Sequence, residues 1–229
     1  MKNKRKIIGG GVFLALFLIS FVMQMLIDNE EILYDASLYW EYGKALRLDI
    51  RNETLGFRGY FLLYFFSMCY QLGTLFGKEF SGYWILSSLI FALTFSVVFF
   101  MIAKILEFSE DDNYIIGAGG ISGILFLLFF RGLFIYPLSD FYALSLSFLS
   151  IVLVYNILEK NPKWHTRALE SFALGLCLYG TYNIRTIYLF LAIAVIVLLI
   201  IWHTYEKKWL GILITAPCCF GGMALCAYR

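Results

Sequence analysis

Long apolar runs separated by short charged segments organise the whole chain, at residues 7–27, 59–76, 82–106, 114–130, 138–158, 168–202 and 210–228. A helix needs about 20 predominantly apolar residues to cross a hydrocarbon core about 30 Å thick, and most of these runs match that length. The exception is 168–202, whose helix would be roughly 50 Å long at 1.5 Å per residue. Gly180-Thr181-Tyr182-Asn183-Ile184-Arg185 supplies turn-tolerant residues and a charge at its middle, so the pattern predicts two helices joined at one membrane face.

The first run follows Lys2, Lys4, Arg5 and Lys6, like the charged start of a signal peptide. Its 21 residues exceed the roughly 7 to 15 usual for such a peptide, and Asp28-Asn29-Glu30-Glu31 follows in place of a small-residue cleavage site. An uncleaved first helix with a cytoplasmic N-terminus is expected. The same positive-inside tendency decides whether 59–76 crosses. If it does not, the basic N-terminus, Lys104, the segment from Glu159 to Arg167 and the segment from His203 to Lys208 all face the cytoplasm. If it does, the two most basic loops lie outside, against the tendency. The expectation is therefore an all-α polytopic membrane protein with about seven transmembrane helices, or eight if 59–76 crosses. It forms one transmembrane domain over 1–229, and 28–81 is a large first extracytoplasmic loop with juxtamembrane helices.

Within that loop, Asp35, Tyr39, Tyr42 and Leu46 recur at helical spacing beside a second stripe of Ile32, Ala36, Tyr39, Gly43 and Leu46. This predicts a helix lying in the interface, its rings at headgroup level. Composition agrees with the pattern: 61% of residues are hydrophobic and 15% charged, too much apolar surface for a water-soluble chain of 229 residues to hide. Lys plus Arg total 18 against 16 acidic residues, which leaves no basic patch suited to nucleic acid. Cys69, Cys177, Cys218, Cys219 and Cys226 fall in or beside apolar runs without paired spacing, and are read as packing residues. Gly119-Gly120-Ile121-Ser122-Gly123 and Gly9-Gly10-Gly11 are small-residue patterns expected to let helices pack closely. His165 and His203 are expected in cytoplasmic loops, away from any chemistry.

Ionisable residues stand near apolar helix ends at Asp35, at Arg131 and Asp140, and at Arg185. Under the seven-helix reading all open on the outer side. Asp35 sits on the membrane-leaning stripe of its helix, a costly place for a carboxylate unless it has a partner or a task. The structural alternative is that it starts a surface helix, favoured by the helix dipole. Asp140 follows Tyr136-Pro137-Leu138-Ser139, a helix start where capping would explain it. Arg131 and Arg185 either snorkel to the interface or bind phosphate with their planar forks. No phosphate-binding loop, dinucleotide fingerprint or zinc-protease motif occurs, and no metal ligands are identified.

The layout resembles the N-terminal part of the GT-C glycosyltransferases, the membrane enzymes that include protein O-mannosyltransferases and aminoarabinose transferases. The resemblance lies in order: an outer loop with Tyr34-Asp35-Ala36-Ser37-Leu38-Tyr39-Trp40 and then Arg58-Gly59-Tyr60-Phe61-Leu62-Leu63-Tyr64, next Arg131 with Pro137-Leu138-Ser139-Asp140, then Gly175, Gly180 and Arg185. It implies a bacterial plasma-membrane enzyme of the cell envelope that transfers a hexosyl-type sugar from a polyprenyl-phosphate-linked donor to an unspecified acceptor on the extracytoplasmic side. Asp35 would be the catalytic base. Tyr39, Arg131, Asp140 and Arg185 would bind substrate, with a divalent metal at Asp140 in those members that use one. Such enzymes run to twice this length or more, so the chain is expected to be incomplete at its C-terminus and inactive on its own. The rival expectation is a non-enzymatic multi-pass protein, either a transporter or flippase-like component or an assembly subunit.

The sidedness is directly testable. A cysteine introduced at position 54 should react with an impermeant thiol reagent added outside the cell, and one at position 163 should not.

Overall fold

A computed structural model describes residues 2–27, 35–47, 60–160, 162–206 and 209–227. Every regular element among them is helical: α1 (Lys2–Leu26), α2 (Asp35–Arg47), α3 (Tyr60–Leu75), α4 (Ser81–Leu93), a π-helical turn (Thr94–Val98) running into α5 (Phe99–Ile105), α6 (Asp112–Ile135), α7 (Asp140–Glu159), α8 (Trp164–Ile184), a 3-10 turn (Thr186–Tyr188), α9 (Leu189–Tyr205) and α10 (Trp209–Ala227). Five stretches are long and apolar enough to cross a bilayer: Arg5–Leu26, Ser81–Ile105, Asp112–Ile135, Asp140–Glu159 and Thr186–Tyr205. This is the build of a multi-pass integral membrane protein. α8 and α10 are not among the five, because α8 carries Arg167 and Glu170 and α10 offers only the shorter apolar stretch Gly211–Leu225. α3 is 16 residues long, about 24 Å, and falls short of a hydrocarbon core. The long run divides where expected: α8 stops at Ile184, and Arg185 is extended at φ −143° and ψ 110°.

The chain forms two compact units, Met1–Phe141 and Tyr142–Arg229. In the first, contacts fix the direction of each helix. Gly9 faces Ile116, Val12 faces Gly120, and Leu16 faces Gly123, so α1 and α6 run parallel. Arg5 pairs with Asp112 at their shared N-terminal end, where Lys104 closing α5 reaches the same carboxylate at 2.7 Å. At the opposite end, the Gln24 side chain donates to Ser88 Oγ at 2.9 Å and accepts from Ser87 Oγ at 3.0 Å, tying the end of α1 to the beginning of α4. α1 therefore leaves and α4 enters at one end of the bundle. The segment between them, α3 included, returns to the end it left.

α3 does not run alongside α4 as an antiparallel neighbour would. Cys69 and Gly73 back onto Gly82, and Phe66 meets Tyr83, so α3 lies across the first turn of α4. A methyl group at Gly82 would collide with the Cys69 carbonyl. Small residues also set the α6 contact. A methyl at Gly119 would strike the Phe95 carbonyl in the π turn, and one at Gly123 would meet Leu16 and Phe95. The expectation for Gly9-Gly10-Gly11 is not met in the same way. A methyl at Gly9 would make ordinary contact with Ile116, and one at Gly10 or Gly11 would meet no other element within 4 Å among the described residues. The close approach is supplied by α6, whose glycines receive the branched side chains of α1.

In the second unit, Val154, Ile157, Leu174, Leu178, Val195, Leu199 and Cys219 form the core, and Gly175 admits the Cys219 backbone between α8 and α10. Cys69, Cys177, Cys218 and Cys219 form no disulfide among the described residues.

Gly123→Leu should lower the stability of the purified protein by about 1–3 kcal/mol through overpacking. Gly10→Leu should change it by less than about 0.5 kcal/mol. Thermal unfolding in detergent distinguishes the two.

Candidate functional site at the α2, α6 and α7 end

Tyr83, fully buried in the first turn of α4, organises one end of the first unit. Its hydroxyl lies 2.8 Å from both the Phe134 and the Tyr136 carbonyls. These are among the acceptors left over where a helix ends, so the single hydroxyl proton covers the exposed end of α6. Phe141 packs edge-on against Phe134 at 5.3 Å and lies tilted against Phe91 at 5.9 Å, which seats the start of α7 on the same spot. Trp40 completes the assembly from α2. It stacks on Phe80 at 4.4 Å and meets Tyr83 edge-on at 6.1 Å and Phe66 at 6.3 Å. Lys44 fastens the far half of α2 through Glu79 at 2.8 Å and Glu41 at 3.1 Å. Partial burial disfavours the charged Lys44 ammonium, but its hydrogen bonds to Glu79 and Glu41 and their charges outweigh this and raise its pKa.

Against this geometry, each residue singled out by sequence has a definite place. Asp35 is the first residue of α2, where a carboxylate suits the helix dipole; its side chain lies outside the described residues, as does Ile32. Tyr39 is buried, its ring 6.4 Å from Phe66. This corrects the expected interfacial setting of the α2 rings: Ala36, Tyr39, Trp40 and Gly43 face protein, because α3 and the start of α4 supply an aromatic wall that covers them better than headgroups could. Arg131 is exposed, one residue beyond Phe130, where α6 leaves helical geometry at φ −122° and ψ 20°. Asp140 is half-buried and opens α7. Arg185 is exposed at the end of α8, in the second unit. The structure thus gathers α2, the end of α6 and the start of α7 at one end of the first unit, with Asp35, Tyr39, Arg131 and Asp140 on those elements.

Two polar groups that sequence reasoning missed belong to the same end. The Trp40 indole nitrogen and the Ser139 hydroxyl are buried and have no hydrogen-bond partner among the described residues. No local signal marks them, since their burial comes from residues distant in sequence. No group of three or more His, Cys, Asp or Glu side chains is gathered among the described residues, so those around Asp140 do not compose a metal site by themselves. His203 also departs from expectation. It is buried in the last turn of α9, with Nδ1 2.8 Å from the Leu199 carbonyl, because α9 continues through Tyr205 instead of ending before it.

No protein-family model matches the chain, and no curated protein or solved structure matches it.

Trp40→Ala should remove the keystone of this end at a cost of about 3–5 kcal/mol. A thiol reporter replacing Ala36, 2% exposed in the native protein, should become reactive in that variant if α2 is released.

Proposed function

We propose that the chain is the membrane part of a glycosyltransferase of the GT-C kind, which moves a sugar from a polyprenyl-phosphate-linked donor to an acceptor at the extracytoplasmic boundary. In this reading α8 and α10 also cross the bilayer, giving seven crossings. α3 lies at the outer surface, the N-terminus is cytoplasmic, and Arg185 is assigned to the same outer face as Asp35 and Asp140.

One observation carries the reading. The end of the bundle where α1 leaves and α4 enters is also the end where α2 and α3 dock, α6 stops and α7 begins. The opposite end holds the Arg5, Lys104 and Asp112 cluster. The Asp140 carboxylate, Arg131 and two donors without a partner among the described residues therefore stand on elements at one end of the first unit, which in this reading is the outer boundary where a lipid-borne phosphate and a polar acceptor meet. The first support for sidedness is that 28–80 begins and ends at that boundary, as the distribution of Lys and Arg requires.

In the reaction, the acceptor hydroxyl attacks the anomeric carbon as the bond from that carbon to the donor phosphate oxygen breaks, with inversion. The Asp35 carboxylate takes the hydroxyl proton. Arg131 stabilises the charge that develops on the departing phosphate, and Asp140 orients the donor. Tyr39 is a wall of the site, held by Phe66.

The buried Arg167 and His203 favour the second reading, a transporter or flippase-like component, because such proteins place ionisable groups within their helix bundles. Transfer of labelled sugar from membrane lipid by the full-length protein separates the two. Asp35→Asn should reduce it by about 10²–10⁴-fold, and Arg131→Gln by about 10²–10³-fold. Undiminished transfer in Asp35→Asn would remove that residue from the mechanism, and no transfer by wild type would favour the second reading.

A further inference from the structure

In the second unit, α9 and α10 meet closely at one end and leave a cleft beyond it. Small residues draw α10 against α8: a methyl at Gly175 would strike the Cys219 carbonyl, and one at Gly222 the Phe172 carbonyl. Toward α9 the close approach comes at Gly211, where a methyl would lie 2.6 Å from Cδ2 of the His203 ring. Past that contact the space between α9 and α10 amounts to about 110 Å3. Leu199, His203, Thr215 and Cys219, all buried, form its floor, and Ile200 and Phe220, both exposed, form its rim.

Two polar side chains stand in this floor. The His203 ring is held through Nδ1, 2.8 Å from the Leu199 carbonyl. The Thr215 hydroxyl has no hydrogen-bond partner among the described residues, although Thr215 is only 3% exposed. Other buried hydroxyls of the unit behave differently. Ser147 donates to the Ala143 carbonyl at 2.7 Å, Ser150 to Leu146 at 2.9 Å and Thr181 to Cys177 at 2.7 Å, each using the carbonyl four residues back. The equivalent carbonyl for Thr215 is that of Gly211, which its hydroxyl leaves unused.

Size and depth select the occupant. A helix from a second copy is about 10 Å across, too thick for this space, whereas an extended hydrocarbon chain fits it. Water would find too few partners along walls that are mostly apolar. Thr215 stands six residues into α10, about 9 Å along the axis from its start. It shares the cleft with His203, next in sequence to Trp202, whose half-buried ring suits the boundary between tails and headgroups. The polar layer on each side of the hydrocarbon core is about 5–7 Å thick, so this is the level at which the ester carbonyls of a glycerolipid join its chains.

We infer that the α9–α10 cleft binds one acyl chain of a diacyl glycerolipid, whose ester carbonyl accepts a hydrogen bond from the Thr215 hydroxyl. A hydroxyl left unmet in hydrocarbon is costly, and a carbonyl, which only accepts, meets it without bringing a donor of its own. Recognition rests on the ester and the chain, whatever the headgroup. The site is built from residues that sugar transfer does not use.

The test compares two phosphatidylcholines of the same chain length, one ester-linked and one ether-linked, added to the delipidated full chain in detergent and followed by native mass spectrometry. Wild type should retain the ester lipid about ten-fold more tightly than the ether lipid, equivalent to about 1.4 kcal/mol. Thr215→Val, which keeps the side-chain shape, should lower ester retention to the ether level and leave ether retention unchanged. Thr215→Ser, which keeps the hydroxyl, should preserve the preference. Ala216→Phe, which fills the cleft, should weaken retention of both lipids. Without lipid, Thr215→Val should melt no lower than wild type, so its loss of preference is not a loss of fold. Should Ala216→Phe fail to fold, the Thr215 variants carry the test. Equal retention of the two lipids by wild type, the result expected if water meets the Thr215 hydroxyl, would overturn the inference, as would an ester preference that survives in Thr215→Val. A dimer that forms without lipid and is lost in Ala216→Phe would put a second copy in the cleft and overturn it as well.

Discussion

Helices surrounded by hydrocarbon gain almost nothing from bringing apolar faces together, because lipid tails are as apolar as leucine; close backbone packing and internal hydrogen bonds must hold them. In the first unit that contact is α6 against the π-helical turn. Gly119 and Gly123 let the backbone at Phe95 and the side chain of Leu16 approach α6, and the widened turn shifts the carbonyls of α4 out of their usual pattern. Thr94 and Ser96 donate to the carbonyls of Ile90 and Ala92, so the disturbed ladder still has donors. With α6 fixed to α1 and α4, Gln24 can reach Ser87 and Ser88, the first turn of α4 is held in place, and Tyr83 meets the end of α6. Trp40 then has a surface to stack on. The position of α2, and of Asp35 at its start, thus depends on glycines more than 70 residues further along the chain.

Five apolar stretches long enough to span a bilayer were legible because length and apolarity are properties of a local window. The break at Arg185 and the start of α7 after Pro137 were legible for the same reason: both are local backbone events. What local patterns could not separate was the partner of an amphipathic face. An aromatic stripe reads the same whether it meets headgroups or, as Tyr39 and Trp40 do, the rings of Phe66 and Phe80. Likewise, glycines in a helix announce space but not occupancy, so Gly10 and Gly123 looked alike although only Gly123 has a neighbour filling its space.

The candidate site was legible only in part. Asp140 and Arg131 could be found because charges beside apolar runs are conspicuous. Tyr83 could not, since its role rests on two carbonyls 51 and 53 residues away. His203 and Arg167 were hidden by the opposite effect: at the edge of an apolar run, a basic residue reads as a loop charge, and only the packing of α10 through Gly211 turns these two into buried groups.

Hydrogen-bond accounting separates polar groups that build the fold from those that await something. Gln24, Ser87 and Tyr83 are buried and each is bonded across helices, so their task is assembly. The Trp84 and Trp202 indole nitrogens have no hydrogen-bond partner among the described residues but belong to half-buried rings, suited to the boundary between tails and headgroups. Trp40, Ser139, Ser171 and Thr215 fit neither class: each is at most 3% exposed and unpartnered among the described residues, in a setting where an unmet donor costs about 1–3 kcal/mol. They fall into two pairs, one beside Asp140 and Tyr39, the other beside Arg167. Their burial comes from residues distant in sequence, so it is the packing of the helices that sets them apart from the bonded groups. The accounting therefore marks two corners where packing leaves a donor unmet among the described residues, in contrast to bonded groups such as Gln24 and Tyr83.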